Sequence, residues 1–105
     1  MRMVMAVGIL AVLLGFAFPA ASFECPVHFT QAQAAIDQAT AAMKQLPKGN
    51  KMALVHALLD DAKTLLHAAK HNHEKPQGTY DHARAIAKAD SAQGYAKAAE
   101  LMAKR

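Results

Sequence analysis

The side chains of this sequence best suited to chemistry are six histidines and one cysteine. His67 and His71 are four residues apart, a spacing that stacks two imidazoles one helical turn apart, close enough to chelate one ion. Neutral imidazole suits Cu(II), Ni(II) and Zn(II), whereas Ca(II) and Mg(II) require an oxygen cage that this sequence does not supply. The pair therefore predicts a site for a divalent transition metal.

The first helix that must position these residues is predicted to follow an extended lead-in over residues 23–29. Thr30 and Gln33 form a T-x-x-Q capping box, which is typical of a helix start. Apolar residues then recur in steps of three and four, the signature of an amphipathic helix: Ala32, Ala35, Ile36, Ala39, Met43 and Leu46.

The second helix is predicted from about Lys51 to His71, after a break at residues 47–50. A heptad seam runs along it, and Leu58 and Leu65 widen this seam, which indicates packing against two neighbours. The seam positions are Met52, Val55, Leu59, Ala62, Leu66 and Ala69.

The third helix is predicted to begin at Thr79 or Asp81, after a turn in which Pro76 forbids helix continuation. Its middle is weakened by residues 90–94, which mark either a kink or the start of a fourth helix. Its apolar residues are Ala83, Ile86, Ala87, Ala98, Leu101 and Met102. With short loops and no strand pattern, the sequence predicts an all-α fold, an antiparallel up-down bundle of three helices.

This topology places most of the candidate metal ligands at one end of the bundle. The start of the first helix, the end of the second and the start of the third share a pole in an antiparallel bundle. Alternatively, histidines near the end of the second helix are accounted for by the helix dipole alone, which favours cations there. The predicted metal ligands are the pair His67 and His71, completed by His73, His82 and either His28 or Cys25.

Cys25 is the only cysteine, so it has no partner within the chain for a disulfide. A c-type haem would require C-x-x-C-H, which is absent. In an oxidising compartment the thiol is expected to be free, paired between chains or bound to metal.

The N-terminus is predicted to be a secretory signal peptide over residues 1–22. Arg2 precedes an apolar run over residues 3–18, and small residues follow, so cleavage is expected after Ser22 or, as a second choice, after Ala21. The alternative is an uncleaved N-terminal anchor. The remaining residues, 23–105, are predicted to form one periplasmic domain with no stable membrane anchor.

Several function classes are disfavoured by what the sequence lacks. The formal net charge is +4, but no basic run with interleaved aromatics indicates nucleic acid as a partner. Asp60 and Asp61 are adjacent on a helix, so their side chains diverge by about 100° and cannot act together as acid and base. No G-x-S-x-G, phosphate loop or H-E-x-x-H motif is present, and we expect no enzyme. The alternative to metal binding is a non-catalytic periplasmic protein–protein interaction module, one form of which is a dimer linked through Cys25. The sequence does not identify its protein partner.

The stretch LLDDAKTLLHAAK (residues 58–70), followed by HARAI (residues 82–86), resembles the small periplasmic metal-binding proteins of the SmbP type. The resemblance implies an exported helical bundle that buffers or scavenges divalent metal, copper above all, and supports His67 and His82 as ligands. This chain has fewer histidines, and it carries Asp60-Asp61 where the family tends to have an acid followed by histidine. Cys25 has no counterpart in the family pattern. One or two metal sites are therefore expected.

Overall fold

A computed structural model of the protein describes residues 24–105, which form three α-helices. Helix α1 occupies residues 24–44, α2 spans Asn50–Glu74 and α3 spans Thr79–Lys104. No strand occurs within these residues, and the three helices share a common core. The predicted all-α bundle is confirmed, while the predicted signal peptide and its cleavage position lie outside the described residues.

Helix α1 includes residues that the sequence analysis placed in an extended lead-in, so the predicted start at Thr30 is wrong. The Thr30 hydroxyl donates to the carbonyl of Pro26 one turn earlier, at 2.9 Å, and the Gln33 amide donates to the Asp37 carboxylate. Neither side chain therefore caps the helix. The earlier residues are helical because Cys25 continues the apolar seam and is fully buried there.

The core is built from a narrow seam on each helix. Leu59 and Val55 of α2 are the largest side chains in it with essentially no exposure. The facing seams are mostly alanine, which allows the helix backbones to approach closely. Leu58 and Leu65 are partly buried against the same core, as their positions beside the seam predict. The clustered core residues are Ala32, Ala35, Ile36, Ala39, Val55, Leu59, Ala62, Leu66, Ala92, Ala96 and Ala99.

Helix α3 is one continuous helix, with no break at residues 90–94. The Ser91 hydroxyl donates to the Ala87 carbonyl at 2.9 Å, so this polar side chain bonds within the helix instead of starting a new one. The predicted apolar face is wrong at Ala83, Ala87, Ala98 and Leu101, which are exposed, whereas Ile86 and Met102 are partly buried and Met102 packs against the core. The buried face consists of alanine alone: Ala85, Ala89, Ala92, Ala96 and Ala99.

The turn between α2 and α3 is short and is closed by hydrogen bonds from backbone amides to a carbonyl and to a side-chain carboxylate. The Lys75 amide donates to the His71 carbonyl at 3.0 Å, and the Gln77 amide donates to the Asp81 carboxylate at 2.7 Å. Gly78 has φ of 146°, a conformation that favours glycine. This turn brings the last turn of α2 beside the first turn of α3. Within residues 24–105, no helix combines the length and apolar character needed to cross a membrane.

Candidate metal site

Three side chains with metal-ligand chemistry occupy seam positions at the end of the bundle where the α2–α3 turn lies. Cys25 lies seven residues before Ala32 on α1, His73 lies four residues after Ala69 on α2, and His82 lies three residues before Ala85 on α3. Each therefore stands where its helix directs side chains into the core. The outermost core layer is thus made of a thiol and two imidazoles instead of apolar residues.

These three side chains are close enough to share one ion. One donor atom from each of Cys25, His73 and His82 lies within 4.8 Å of the donors of the other two. The rings of His73 and His82 meet edge to face, with centroids 5.6 Å apart and planes at 71°. The Cys25 thiol also donates a weak hydrogen bond to the backbone carbonyl of His82, with Sγ and O 3.6 Å apart. All three helices therefore meet at this group, which has the composition of a metal site.

One ring nitrogen, Nδ1, of each of the two partly buried imidazoles is inaccessible to solvent and makes no hydrogen bond. Among the described residues, the buried side-chain nitrogens and oxygens that lack a partner are Nδ1 of His73 and Nδ1 of His82. Leaving such a group unsatisfied costs about 1–3 kcal/mol, so native structures rarely keep one without a reason. A metal ion that accepts the imidazole lone pairs would remove this cost.

Aromatic packing fixes the ring of His73. Phe29, one turn after Cys25 on α1, meets this ring edge to face, with centroids 5.5 Å apart and planes at 80°. Phe29 is itself partly buried against the core. The imidazole is thereby held between Phe29 and His82, which restricts its rotation and orients its nitrogens.

The environment of Cys25 favours the protonated thiol. The side chain is 0% exposed, and burial is the main reason why the pKa of Cys25 is raised above its ordinary value. The neighbouring Glu24 carboxylate also raises this pKa by electrostatic repulsion of the thiolate, and a backbone hydrogen bond opposes the shift. A metal ion must therefore displace the thiol proton in order to bind.

The other predicted ligands lie outside this group. His67 and His71 are exposed on α2, and His71 borders a surface depression together with Tyr80 and Arg84. The Nδ1 atom of His28 is 2.5 Å from an Asp90 carboxylate oxygen, which joins α1 to α3. The structure thus brings Cys25, His73 and His82 together, and it does not add the pair His67 and His71 or His28 to them.

All three residues of the group are among the ligands that the sequence predicts, but only as additions to the His67–His71 pair. The signal that identifies them is the register of the seams. Continuing the α2 seam by four residues from Ala69 reaches His73, and continuing the α1 seam backwards by seven from Ala32 reaches Cys25. Because the predicted second helix ends at His71, it leaves His73 outside the helix, and the seam position of His73 is not recognised.

Comparison with known proteins gave no match of any kind: no family model, no curated protein and no solved structure is significantly similar to this chain.

Proposed function

We propose that this protein is an exported, non-enzymatic metal-binding protein that holds one transition metal ion, copper, nickel or zinc, between Cys25, His73 and His82. The observation that carries the proposal is the pair of buried, unpartnered Nδ1 atoms beside a fully buried thiol. Such a set is costly in the core of a small bundle unless a ligand compensates for it. Thiolate and imidazole are the ligands that these three metals share.

A buffering or scavenging role fits a site of this kind better than catalysis does. The donors come from three helices and close around one position, and no carboxylate belongs to the group within residues 24–105. Nothing in this group supplies an acid or base beside the ion for a reaction. The resemblance of residues 58–70 to SmbP-type proteins supports the same role.

The metal test compares the group with the exposed histidine pair. The mature protein, each of Cys25→Ala, His73→Ala and His82→Ala, and a His67→Ala/His71→Ala double variant are titrated with Cu(II), Ni(II) and Zn(II). We expect each single variant to bind at least about tenfold more weakly than wild type, a loss of about 1.4 kcal/mol. The double variant is the matched control, because it removes two imidazoles from the surface and should bind as wild type does.

Two outcomes would overturn this assignment. If the double variant loses binding and the single variants keep it, the His67–His71 pair is the site. If wild type binds no metal more tightly than any variant, the chain has no specific metal site. Circular dichroism of every variant establishes that the helices are retained.

Export is proposed from Arg2, the apolar run over residues 3–18 and the small residues before Phe23. N-terminal sequencing of protein from the native cell should give a chain beginning at Phe23, or at Ser22 for the second cleavage position. Fractionation should place this chain in the periplasm. Full-length protein in the membrane fraction would support the uncleaved anchor instead.

The alternative function, an interaction module linked into a dimer through Cys25, has less support. Cys25 is 0% exposed, so a disulfide with a second copy requires the start of α1 to open. Non-reducing gels and sizing separate the two functions. A thiol-sensitive dimer that ignores chelators would favour the interaction module.

A further inference from the structure

We infer that the ion bound by Cys25, His73 and His82 is monovalent copper, Cu(I), in preference to a divalent metal. This inference rests on the proposed function, and it selects among the metals that the group could hold. Three features of the group carry it: the charge of its donors, their number and their position across three helices.

The charge of the donor set matches a monovalent ion. A bound cysteine contributes one negative charge as thiolate, and two neutral imidazoles contribute none. Cu(I) therefore gives a neutral complex, whereas Zn(II), Ni(II) or Cu(II) leaves a net charge of +1. Cys25 is fully buried, and His73 and His82 are partly buried with Nδ1 of each inaccessible to solvent, so a residual charge at these atoms would be poorly solvated. Burial thus favours the neutral complex.

The core layer inward of the group is apolar. Phe29 packs on His73, and the next seam residues inward are Ala69 and Ala85, both fully buried. No carboxylate joins the group within the described part of the chain. The Glu24 carboxylate acts electrostatically on Cys25, and Glu24 is exposed to solvent. Its charge is therefore screened by water.

The number of donors points to the same ion. Residues 24–105 supply three ligands here, and structural Zn(II) sites are almost always four-coordinate. Cu(II) and Ni(II) favour square-planar or tetragonal surroundings, which also require a fourth ligand. Cu(I) is a soft ion with no such requirement, and thiolate ligands select it. Three donors, one from each helix, suit its trigonal coordination.

Binding needs no electron transfer. Cu(I) arrives already reduced, from a Cu(I) donor complex, and stays in that state. The Cys25 S–H bond breaks as the Cu–S bond forms, and the thiol proton passes to solvent. The two imidazoles each donate a nitrogen lone pair and lose no proton.

The test measures Cu(I) and Zn(II) affinity of the mature protein under anaerobic conditions. Cu(I) is presented as its complex with a coloured competing chelator such as bathocuproine disulfonate, and Zn(II) with a coloured zinc chelator. We expect one Cu(I) per chain and a preference over Zn(II) of at least about 100-fold. X-ray absorption at the copper edge should show three ligands, one sulfur and two nitrogens.

A matched control separates this site from the general affinity of thiols for Cu(I). The double variant Cys25→Ala/Ala98→Cys keeps one thiol but moves it to an exposed position of α3. It should lose at least about tenfold in Cu(I) affinity. The His67→Ala/His71→Ala variant should retain the wild-type value.

The outcomes distinguish the inference from the proposed function. If Zn(II) binds as tightly as Cu(I), and His73→Ala and His82→Ala both weaken Zn(II) binding, the site is real and the Cu(I) assignment is wrong. If the relocated thiol binds Cu(I) as well as wild type does, the Cu(I) assignment again fails. If no metal binds wild type more tightly than Cys25→Ala, the proposed function fails with it.

Discussion

His73 and His82 lie edge to face at the junction of α2 and α3, with ring centroids 5.6 Å apart, and Nδ1 of each ring is buried without a hydrogen-bond partner. Every seam position inward from them on α2 and α3 that is fully buried carries an apolar side chain, as at Ala69 and Ala85. An apolar residue at either histidine position would satisfy the packing equally well. We therefore expect the pair to reduce the stability of the metal-free protein, and this cost can be measured.

Replacing His82 with leucine should stabilise the metal-free protein. The change removes one buried, unpartnered nitrogen and places an apolar side chain in an apolar seam, for an expected gain of about 1 kcal/mol in the free energy of unfolding. Urea unfolding in the presence of a chelator measures it. His67→Leu is the control, since His67 is exposed and its replacement should change stability by less than about 0.5 kcal/mol. A destabilised His82→Leu variant would mean that the imidazole has a favourable partner in the apo protein.

The alanine seam of α3 predicts that the effect of an alanine-to-leucine substitution on stability depends strongly on which face of the helix carries it. Ala92→Leu adds bulk at a position with 0% exposure and should destabilise the protein by about 1–3 kcal/mol. Ala98→Leu adds the same bulk on the exposed side of the same helix and should change stability by less than about 0.5 kcal/mol. Thermal unfolding of both variants tests the register. Equal effects would contradict the assignment of the buried face.

The sequence predicts the bundle well because the heptad seam of α2 and the turn residues around Pro76 leave few alternatives. The buried face of α3, by contrast, does not follow from the sequence. Alanines occur on both its buried and its exposed sides, at Ala85 and Ala89 as well as Ala83 and Ala87, and they are equally hydrophobic. Only packing against the large side chains of α2 decides which of these alanines are buried, and a single-helix pattern does not contain that information.

The sequence predicts where the candidate metal-ligand group lies and which residue types form it, but it does not distinguish Cys25, His73 and His82 from the other candidate ligands. The end of the bundle at which these residues lie follows from topology alone, so Cys25, His73 and His82 are all among the predicted ligands. Helix ends are the least determined feature of a sequence. Helix α2 continues three residues beyond its predicted end, to Glu74, and this extension places His73 at a seam position.

Among the glycines of residues 24–105, Gly78 should be the most sensitive to substitution. Its φ of 146° lies in a region that other residues rarely adopt, so Gly78→Ala should destabilise the protein by about 1–3 kcal/mol. Gly49 has an extended φ of 161°, and Gly49→Ala serves as the matched control with a smaller expected effect. Urea unfolding compares the two variants. A Gly49→Ala variant as destabilised as Gly78→Ala would show that the conformation at Gly78 is not the cause.

The raised pKa of Cys25 predicts slow alkylation at neutral pH. Because burial and Glu24 favour the protonated thiol, the reaction with iodoacetamide in the folded, metal-free protein should accelerate at higher pH than it does in urea. Glu24→Gln should shift this profile towards lower pH by removing the smaller of the two causes. Identical profiles for folded and unfolded protein would contradict the burial of the thiol.

The raised pKa of Cys25 also determines how the free energy of unfolding depends on pH. The folded-state pKa of Cys25 lies above the unfolded value. The stabilisation that the protonated thiol gives the folded state is therefore fully present below the unfolded pKa and is lost as pH rises through the folded pKa. The metal-free protein should therefore lose stability at alkaline pH, and Cys25→Ala should lose less. Urea midpoints measured from neutral to alkaline pH provide the comparison, and parallel curves for the two proteins would contradict it.

Metal binding should join the three helices at this pole and raise the unfolding temperature. A ligand that binds only the folded protein stabilises it by about 2.7 kcal/mol at a free concentration 100 times its Kd. Below the pKa of Cys25 the proton competes with the metal, so the stabilisation should grow as pH rises towards that pKa. Thermal unfolding with buffered Cu(I) at several pH values measures both effects. His73→Ala and His82→Ala should show little metal-dependent shift, whereas His67→Ala should show the wild-type shift. A shift that survives in all three variants would place the ion elsewhere in the molecule.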